Sequence, residues 1–104
     1  MTGPSHRAAT YSDVQAYVDL ARAFLRGDLS ATGYETAFFE LFRRQDFVLP
    51  PDLFAVVQEL FFAAEDYMED DHLRDAGELD ASGLRSRVAS VEPRLAELVD
   101  QLPR

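Results

Sequence analysis

The sequence contains neither cysteine nor tryptophan. Without cysteine, the chain has no disulfide bond, no thiol nucleophile and no thiolate zinc site. Lysine, isoleucine and asparagine are also absent, so all ten basic residues are arginine. This bias is typical of a GC-rich coding sequence and indicates a bacterial source.

Long apolar runs are missing as well. No stretch approaches the roughly 18 consecutive apolar residues that a membrane-spanning helix needs. The first residues do not show the charged and then apolar pattern of a secretory signal peptide. From these two absences we expect a cytoplasmic protein.

What the sequence does contain is enough apolar material for one folded domain. Its length of 104 residues fits a single domain. Hydrophobic residues make up 47% of the chain, which excludes disorder over its whole length. We expect a flexible N-terminus over residues 1–10 and a single helical domain over residues 11–104.

Apolar residues recur at helical spacing in four segments, and the first two segments have clear boundary signals. Ser12 is spaced from Gln15 as in a capping box and predicts the first helix start. Gly27 predicts a left-handed cap at the end of that helix. The second helix is predicted to begin at Ser30 or at Thr32.

The third and fourth segments are bounded by proline, glycine and aspartate. Pro51 suits the first position of a helix, because the amide that it lacks would have no partner there. Gly77 predicts a turn, and Asp80 is a good N-cap for the last helix. Pro93 lies within that helix and removes one backbone donor. We therefore expect the last helix to be kinked or split at Pro93.

Strands are not expected, because no alternating apolar and polar pattern is sustained anywhere in the chain. Four amphipathic helices joined by short loops favour an all-α fold. The predicted architecture is an antiparallel four-helix bundle.

Negative charge is concentrated in residues 65–80, which we call the acidic segment and which read EDYMEDDHLRDAGELD. Eight of its sixteen residues are acidic, and Arg74 is the only base. This one stretch accounts for most of the formal net charge of −9. Such a field repels the phosphate backbone of a nucleic acid and attracts a basic partner.

A metal site is one alternative interpretation of the acidic segment. Glu69 and His72 have the Glu-x-x-His spacing of di-iron bundles. Those sites require the motif on two helices, and the only other histidine is His6, close to the N-terminus. The alternation of a calcium-binding loop is absent too. We expect no metal and no cofactor.

Catalytic signatures are also missing from the sequence. There is no glycine-rich phosphate loop, no GxSxG and no recognisable Ser/His/Asp arrangement. Paired carboxylates are abundant, but acid–base chemistry on a sugar requires them to face each other across a cleft. We therefore expect a protein that is not an enzyme and has no catalytic residues.

Two aromatic residues lie away from the apolar stripes of their predicted helices. At about 100° per residue, Phe62 points roughly opposite the stripe of the third helix, and Phe39 lies to the side of the second. Exposed aromatics next to an acidic segment favour a partner surface. A charge run that serves only as solvated surface remains the alternative.

The sequence resembles the colicin D-type immunity family, the bacterial self-protective colicin-like immunity proteins. The resemblance covers about residues 11–102 and includes a glycine turn before a serine-capped helix and a proline-started helix that ends in an acidic segment. The matching stretches are YVDLARAFLRGDLSATGYETAFFELF (17–42), LPPDLFAVVQELFFAAEDYMEDDHLRDAGELD (49–80) and LRSRV (84–88).

The resemblance implies both a fold and a function. Proteins of this family are antiparallel helical bundles that bind the cytotoxic domain of a cognate bacterial toxin, in the type case a tRNA-cleaving nuclease. They occlude its basic active site with acidic side chains that mimic the phosphates of the substrate. The acidic segment has the sign and the position that this role requires.

We accordingly expect a partner-binding surface on the acidic segment, with a toxin nuclease domain as the partner and neither nucleic acid nor membrane. Carboxylates would pair with basic groups, while two aromatic residues would supply apolar anchors. A generic helical adaptor without a toxin partner is the alternative function. The expected partner-binding residues are Glu65, Asp66, Tyr67, Glu69, Asp70, Asp71, Asp75 and Phe62.

Overall fold

The computed structural model describes residues 7–104, and these residues form four helices and two very short strands. Most of the described chain is helical, as the sequence predicted. In chain order the elements are β1 (Arg7–Ala8), α1 (Tyr11–Arg26), α2 (Ala31–Arg43), β2 (Phe47–Val48), α3 (Pro51–Asp66) and α4 (Ala81–Asp100).

Helix α1 begins slightly earlier than predicted. Its N-cap is Thr10, so the start predicted at Ser12 was wrong by two residues. The carboxylate of Asp13 accepts hydrogen bonds from the Thr10 amide at 2.9 Å and from the Thr10 hydroxyl at 3.0 Å. The end was predicted correctly, because Gly27 has a φ of 92° and forms the left-handed cap.

The caps of α2 and α4 follow the sequence signals. The Ser30 hydroxyl accepts a hydrogen bond from the Gly33 amide at 2.9 Å, which selects Ser30 over Thr32 as the N-cap of α2. Asp80 accepts from the Gly83 amide at 2.7 Å in the same way. Each cap satisfies an amide that has no partner within its helix.

Helix α4 continues without interruption from Ala81 to Asp100, with Pro93 inside it. The helix is therefore not split at Pro93. A bend of its axis at that residue stays a prediction.

Helices α1 and α4 pack against each other. Near the start of α1, the Tyr11 amide donates to the Pro103 carbonyl at 2.8 Å. At the other end, Arg85 Nη1 donates to the Leu25 carbonyl at 3.0 Å. The two helices therefore run in opposite directions.

Helix α3 packs against α4 and against α2. Its middle is joined to α4 by Glu59, whose two carboxylate oxygens accept from Arg94 at 3.0 and 3.1 Å. Its C-terminal end reaches the start of α2, where the hydroxyl oxygens of Tyr67 and Thr32 are 3.0 Å apart. These contacts bring the acidic segment to the end of the molecule at which α2 and α4 begin.

The two strands were not expected from the sequence. β1 pairs with β2 in parallel, with Arg7 opposite Phe47, and the Ala9 amide extends the pairing to the Val48 carbonyl at 3.1 Å. A two-residue strand is too short for an alternating pattern to reveal it. Residues 1–6 of the predicted flexible N-terminus lie outside the described residues.

The core lies between the helices and is rich in aromatic rings. Phe24 of α1 stacks on Tyr34 of α2 with ring centres 4.9 Å apart, and Tyr17 contacts Phe38 at 5.7 Å. Phe54 of α3 lies at helical spacing from the buried Val57, which predicts a core position, but that prediction is wrong because Phe54 is 52% exposed. The buried side chains of α3 are those of Leu53, Val56, Val57, Leu60, Ala63 and Ala64.

Among residues 7–104, none of the helices combines the length and the apolar character needed to cross a membrane.

Candidate partner-binding site

The acidic segment consists of the last two residues of α3 and the loop that follows, and backbone hydrogen bonds join the two ends of this loop. The Met68 amide donates to the Leu79 carbonyl at 2.9 Å, and the Leu79 amide donates to the Asp66 carbonyl at 2.7 Å. Loops whose ends are tied together in this way are compact. The charges of the segment are therefore held against one end of the molecule.

Arg74 organises this loop from inside. Its Nε and Nη2 atoms donate to the Met68 carbonyl at 3.1 and 3.0 Å, and Nη1 lies 2.8 Å from a carboxylate oxygen of Asp71. The only cation of the segment is thus already paired within it. In the part of the chain that the structure describes, Asp71 is the one carboxylate of the segment that forms a salt bridge.

Two further carboxylates shape the loop by accepting hydrogen bonds from backbone amides. Asp70 accepts from the His72 amide at 2.9 Å, and Glu78 accepts from the Asp75 amide at 2.8 Å. Short polar side chains commonly fix turns in this manner. The loop conformation therefore depends on part of its own charge, while other carboxylates remain available to a partner.

The eight residues expected from the sequence to bind a partner differ in accessibility. The acidic ones lie at the surface, and only Asp66 is half-buried. Glu65 and Asp66 are the last two residues of α3, and the other four acidic residues follow in the loop. The exposed carboxylates are those of Glu65, Glu69, Asp70, Asp71 and Asp75.

A cleft of about 450 Å³ lies between this loop and the first turns of α2 and α4. Glu69 and Asp71 line it together with Asp80, and Arg74 also contributes to its wall. Asp70 and Asp75 are not among its lining residues. The fold thus brings two of the expected carboxylates to the cleft and adds Asp80 from the start of α4.

Glu35 of α2 also belongs to this acidic surface, although sequence reasoning missed it. Its pKa is raised above the ordinary value because the carboxyl is partly buried and because Glu69 is charged nearby. Glu35 and Glu69 are 34 positions apart in the sequence, so no local pattern could have joined them. Their proximity is set by the packing of α2 beside the loop.

Tyr67 is placed differently from what the sequence suggested. Only 8% of it is exposed, and it is part of the hydrophobic core. Its hydroxyl contacts Thr32 at 3.0 Å and thereby joins the start of the loop to α2. Tyr67 also lines the cleft, but so little of its surface is exposed that in this conformation it supports the acidic segment and does not offer an anchor to a partner.

Phe62 is accessible, as the helical angle predicted, with 49% of it exposed. Phe39 is less exposed, because it is half-buried and packs its ring against Phe61 with ring centres 5.5 Å apart. Phe62 contacts Phe61 as well, at 6.0 Å. Of the two aromatics that lie off the predicted stripes, Phe62 is thus the better candidate for partner contact.

The residues considered for a metal site do not form one in the described chain. Among residues 7–104, no group of three or more histidine and acidic side chains is arranged to hold a metal ion. His72 is exposed on the loop, and His6 lies outside the described residues.

Comparison with known families identifies a match over most of the chain. A comparison with curated protein sequences finds no related protein. The sequence model of the family described as "Bacterial self-protective colicin-like immunity" matches residues 13–95. This range includes most of α1, all of α2 and α3, the acidic segment and most of α4. Because the match spans well over half of the chain, the protein belongs to the bacterial self-protective colicin-like immunity family.

Proposed function

We propose that this chain is an immunity protein that binds the cytotoxic domain of a bacterial toxin and blocks its active site with the acidic segment. Membership of the family supports a toxin inhibitor rather than an enzyme. The observation that carries the proposal is the excess of exposed carboxylates in the acidic segment. Arg74 is paired inside the loop, so a strongly negative surface is left facing solvent.

The partner that this surface fits best is a nuclease, in particular a ribonuclease that acts on tRNA. A nuclease holds Arg, Lys or His where the phosphates of its substrate bind. Exposed carboxylates such as Glu65 and Glu69 can form charge-assisted hydrogen bonds with those groups. The acidic segment then occupies the place of the substrate backbone, and the inhibition needs no chemistry.

The helices serve this function as a rigid support. We infer an antiparallel bundle from the opposite directions of α1 and α4 and from the contacts of α3 with α4 and α2. Backbone hydrogen bonds at Leu79 and the guanidinium of Arg74 keep the loop ordered before binding. An ordered surface loses less conformational entropy on association, which favours tight binding.

The experiment uses Glu65→Arg combined with Glu69→Arg. Both side chains are exposed, and neither takes part in a salt bridge or a side-chain hydrogen bond among residues 7–104. A base at position 65 also suits the C-terminal end of α3. Reversal of Asp70 and Asp71 is less clean, because these residues hold the loop together.

The probe is the purified C-terminal domain of the toxin encoded directly beside the gene for this chain. The double variant should lose at least about 3 kcal/mol of binding free energy, because two buried contacts become repulsive. Arg22→Ala is the control; Arg22 pairs with Glu92 between α1 and α4 at 2.9 Å, away from the acidic segment. Equal affinity and equal salt dependence of wild type and double variant would exclude this surface.

A generic helical adaptor is the second candidate function. An immunity gene lies directly beside a large toxin gene that ends in a small basic domain. A gene that stands alone or among metabolic genes would favour the adaptor. Inspection of the genomic neighbourhood therefore separates the two functions before any protein is purified.

A further inference from the structure

A second accessible feature lies on α3, just before the acidic segment begins. It is an apolar cavity of about 150 Å³ between the side of α3 and the end of α2. Two phenylalanines at its mouth, Phe54 and Phe62, are 52% and 49% exposed. We call this feature the aromatic groove, and its lining residues are Phe42, Gln45, Leu49, Phe54, Val57, Gln58, Phe61 and Phe62.

The interior of the groove is more apolar than its residue types suggest. Gln45 is one of its two polar residues, but the side chain of Gln45 is already engaged. Its Oε1 accepts from the Tyr17 hydroxyl at 2.8 Å, and its Nε2 donates to the Phe47 carbonyl at 3.4 Å. Gln58 is the other polar residue, and it is exposed on α3. The groove can therefore receive an apolar group without leaving a polar group unpaired inside it.

The walls of the groove are held in place by ring contacts. The Phe61 ring lies 5.0 Å from Phe42 and 6.0 Å from Phe62, measured between ring centres. Phe42 in turn stacks on the buried Phe38 at 6.1 Å. Walls that are fixed before binding reduce the entropy cost of filling the cavity. Apolar cavities of comparable size in other proteins accept a benzene ring, so one large apolar side chain fits here.

The groove and the acidic segment share one face of α3. Phe54, Gln58, Phe61 and Glu65 are separated by four, three and four residues, and this spacing places them on the same side of a helix. From Gln58 to Glu65 the helix rises by about 10 Å. A partner that covers the groove would therefore meet the first carboxylates of the acidic segment directly beside it.

We propose that the aromatic groove receives one large apolar side chain of the toxin's cytotoxic domain, presented about 10 Å from the basic residues that meet the acidic segment. This proposal rests on the function proposed above. It is supported by the position of the groove directly beside the negatively charged acidic segment. The occupant must carry an apolar residue next to cations, and a basic nuclease surface has the required sign.

A second copy of this chain is a poorer occupant. The formal net charge of −9 makes two copies repel each other. A copy seated in the groove would also lie beside the charged Glu65 and Asp66. The proposal therefore assigns the apolar contact to the toxin domain, where it would contribute affinity while the carboxylates contribute attraction over distance.

The test removes or fills the groove without touching a charge. Phe54→Ala takes away one wall, and Gln58→Trp places a ring at the mouth; both positions are exposed, so both variants should fold as judged by circular dichroism. Each should bind the purified C-terminal domain of the neighbouring toxin at least about tenfold more weakly. The loss should come from faster dissociation, with the salt dependence unchanged. Val48→Ala, at a residue that is 51% exposed and does not line the groove, should bind as wild type does.

Three other outcomes would overturn the proposal, and each would refute a different part of it. Groove variants that bind like wild type, while Glu65→Arg with Glu69→Arg weakens binding, would refute the groove and leave the proposed function standing. Absence of binding by the wild-type chain would refute the function itself. A wild-type dimer in sedimentation that Phe54→Ala converts to monomer would assign the groove to a second copy instead of the toxin.

Discussion

Arg74 donates two hydrogen bonds to a single atom, the carbonyl oxygen of Met68, at 3.1 and 3.0 Å. These bonds span the loop and link its middle to the end of α3. The one base of the acidic segment therefore determines the shape of the surface on which the carboxylates lie.

Replacement of Arg74 by alanine separates loop order from net charge. If charge alone decided affinity, Arg74→Ala would strengthen binding to the basic domain proposed as the partner. We expect binding about tenfold weaker, because a loop that must be ordered on association costs on the order of 1 kcal/mol or more. Calorimetric titration measures the affinity, and faster hydrogen exchange of the amides in residues 68–79 would report the loss of order.

The matched control for this variant is Arg104→Ala. It removes the same charge from an exposed pair with Asp100, at the opposite end of α4. This control should bind about as tightly as wild type. Tighter binding by Arg74→Ala would contradict a role for loop order.

Glu35→Gln should raise stability and lower toxin affinity in the same molecule. The pKa of Glu35 is raised by partial burial and by the charge of Glu69, so the folded state favours the protonated form. The stability from that form is present below the ordinary pKa of 4.5 and is lost as the pH rises through the raised pKa. At neutral pH, glutamine removes this cost, and at a pH below 4.5 the two proteins should differ little.

Urea denaturation at both pH values measures the stability, and titration with the toxin domain measures the affinity. If Glu35 belongs to the acidic surface, loss of its charge weakens binding even though the fold is more stable. A variant that gains stability and binds the toxin domain more tightly would place Glu35 outside the interface.

Tyr34→Phe should increase the free energy of unfolding by about 1 kcal/mol. The hydroxyl of Tyr34 is buried and has no hydrogen-bond partner among the described residues. Burial also raises the pKa of this hydroxyl above its usual value. Removal of an unsatisfied polar atom of this kind relieves its desolvation cost.

The opposite change is expected at Tyr17, which provides the control. Its hydroxyl donates to Gln45 at 2.8 Å, so Tyr17→Phe should lose about 1 kcal/mol and leave the glutamine oxygen unpaired. Chemical denaturation of the two variants side by side gives the comparison. Loss of stability in both variants would mean that the Tyr34 hydroxyl is satisfied in solution.

Pro93→Ala should stabilise α4 by up to about 3 kcal/mol. Pro93 is exposed and lies in the interior of a helix, where it cannot donate to the preceding turn. Alanine restores that donor and has the highest helix propensity. Thermal unfolding measures the gain, and a lower melting temperature would show that the proline packs in a way that the helix needs.

The helix boundaries could be predicted because their causes are local. A serine or aspartate oxygen caps an amide three residues ahead, so Ser30 and Asp80 were recognisable from the sequence. A left-handed turn requires glycine, which made Gly27 equally clear. The start of α1 was misplaced because Ser12 and Thr10 both lie within reach of a first turn and both have a suitable partner three residues on.

The exposure of Phe54 could not be predicted because α3 is apolar on more than one side. Leu53, Phe54 and Val57 allow several stripes of similar quality, and the positions of α2 and α4 decide which one is buried. The aromatic groove was missed for the same reason.

The acidic site was predictable in its composition and not in its arrangement. Eight acidic residues in sixteen are visible in the sequence. The contact of the Tyr67 hydroxyl with Thr32 and the charge of Glu69 near Glu35 depend on how α2 packs beside the loop. Such contacts between distant positions leave no local pattern.

The hydrogen bond from the Tyr11 amide to the Pro103 carbonyl brings the two ends of the described chain side by side. They meet beyond the last turn of α4, a 20-residue helix about 30 Å long, while the loop with the carboxylates precedes its first turn. A fluorescent protein or a sensor-chip tether attached at this end would therefore stay away from the surface proposed to bind the toxin.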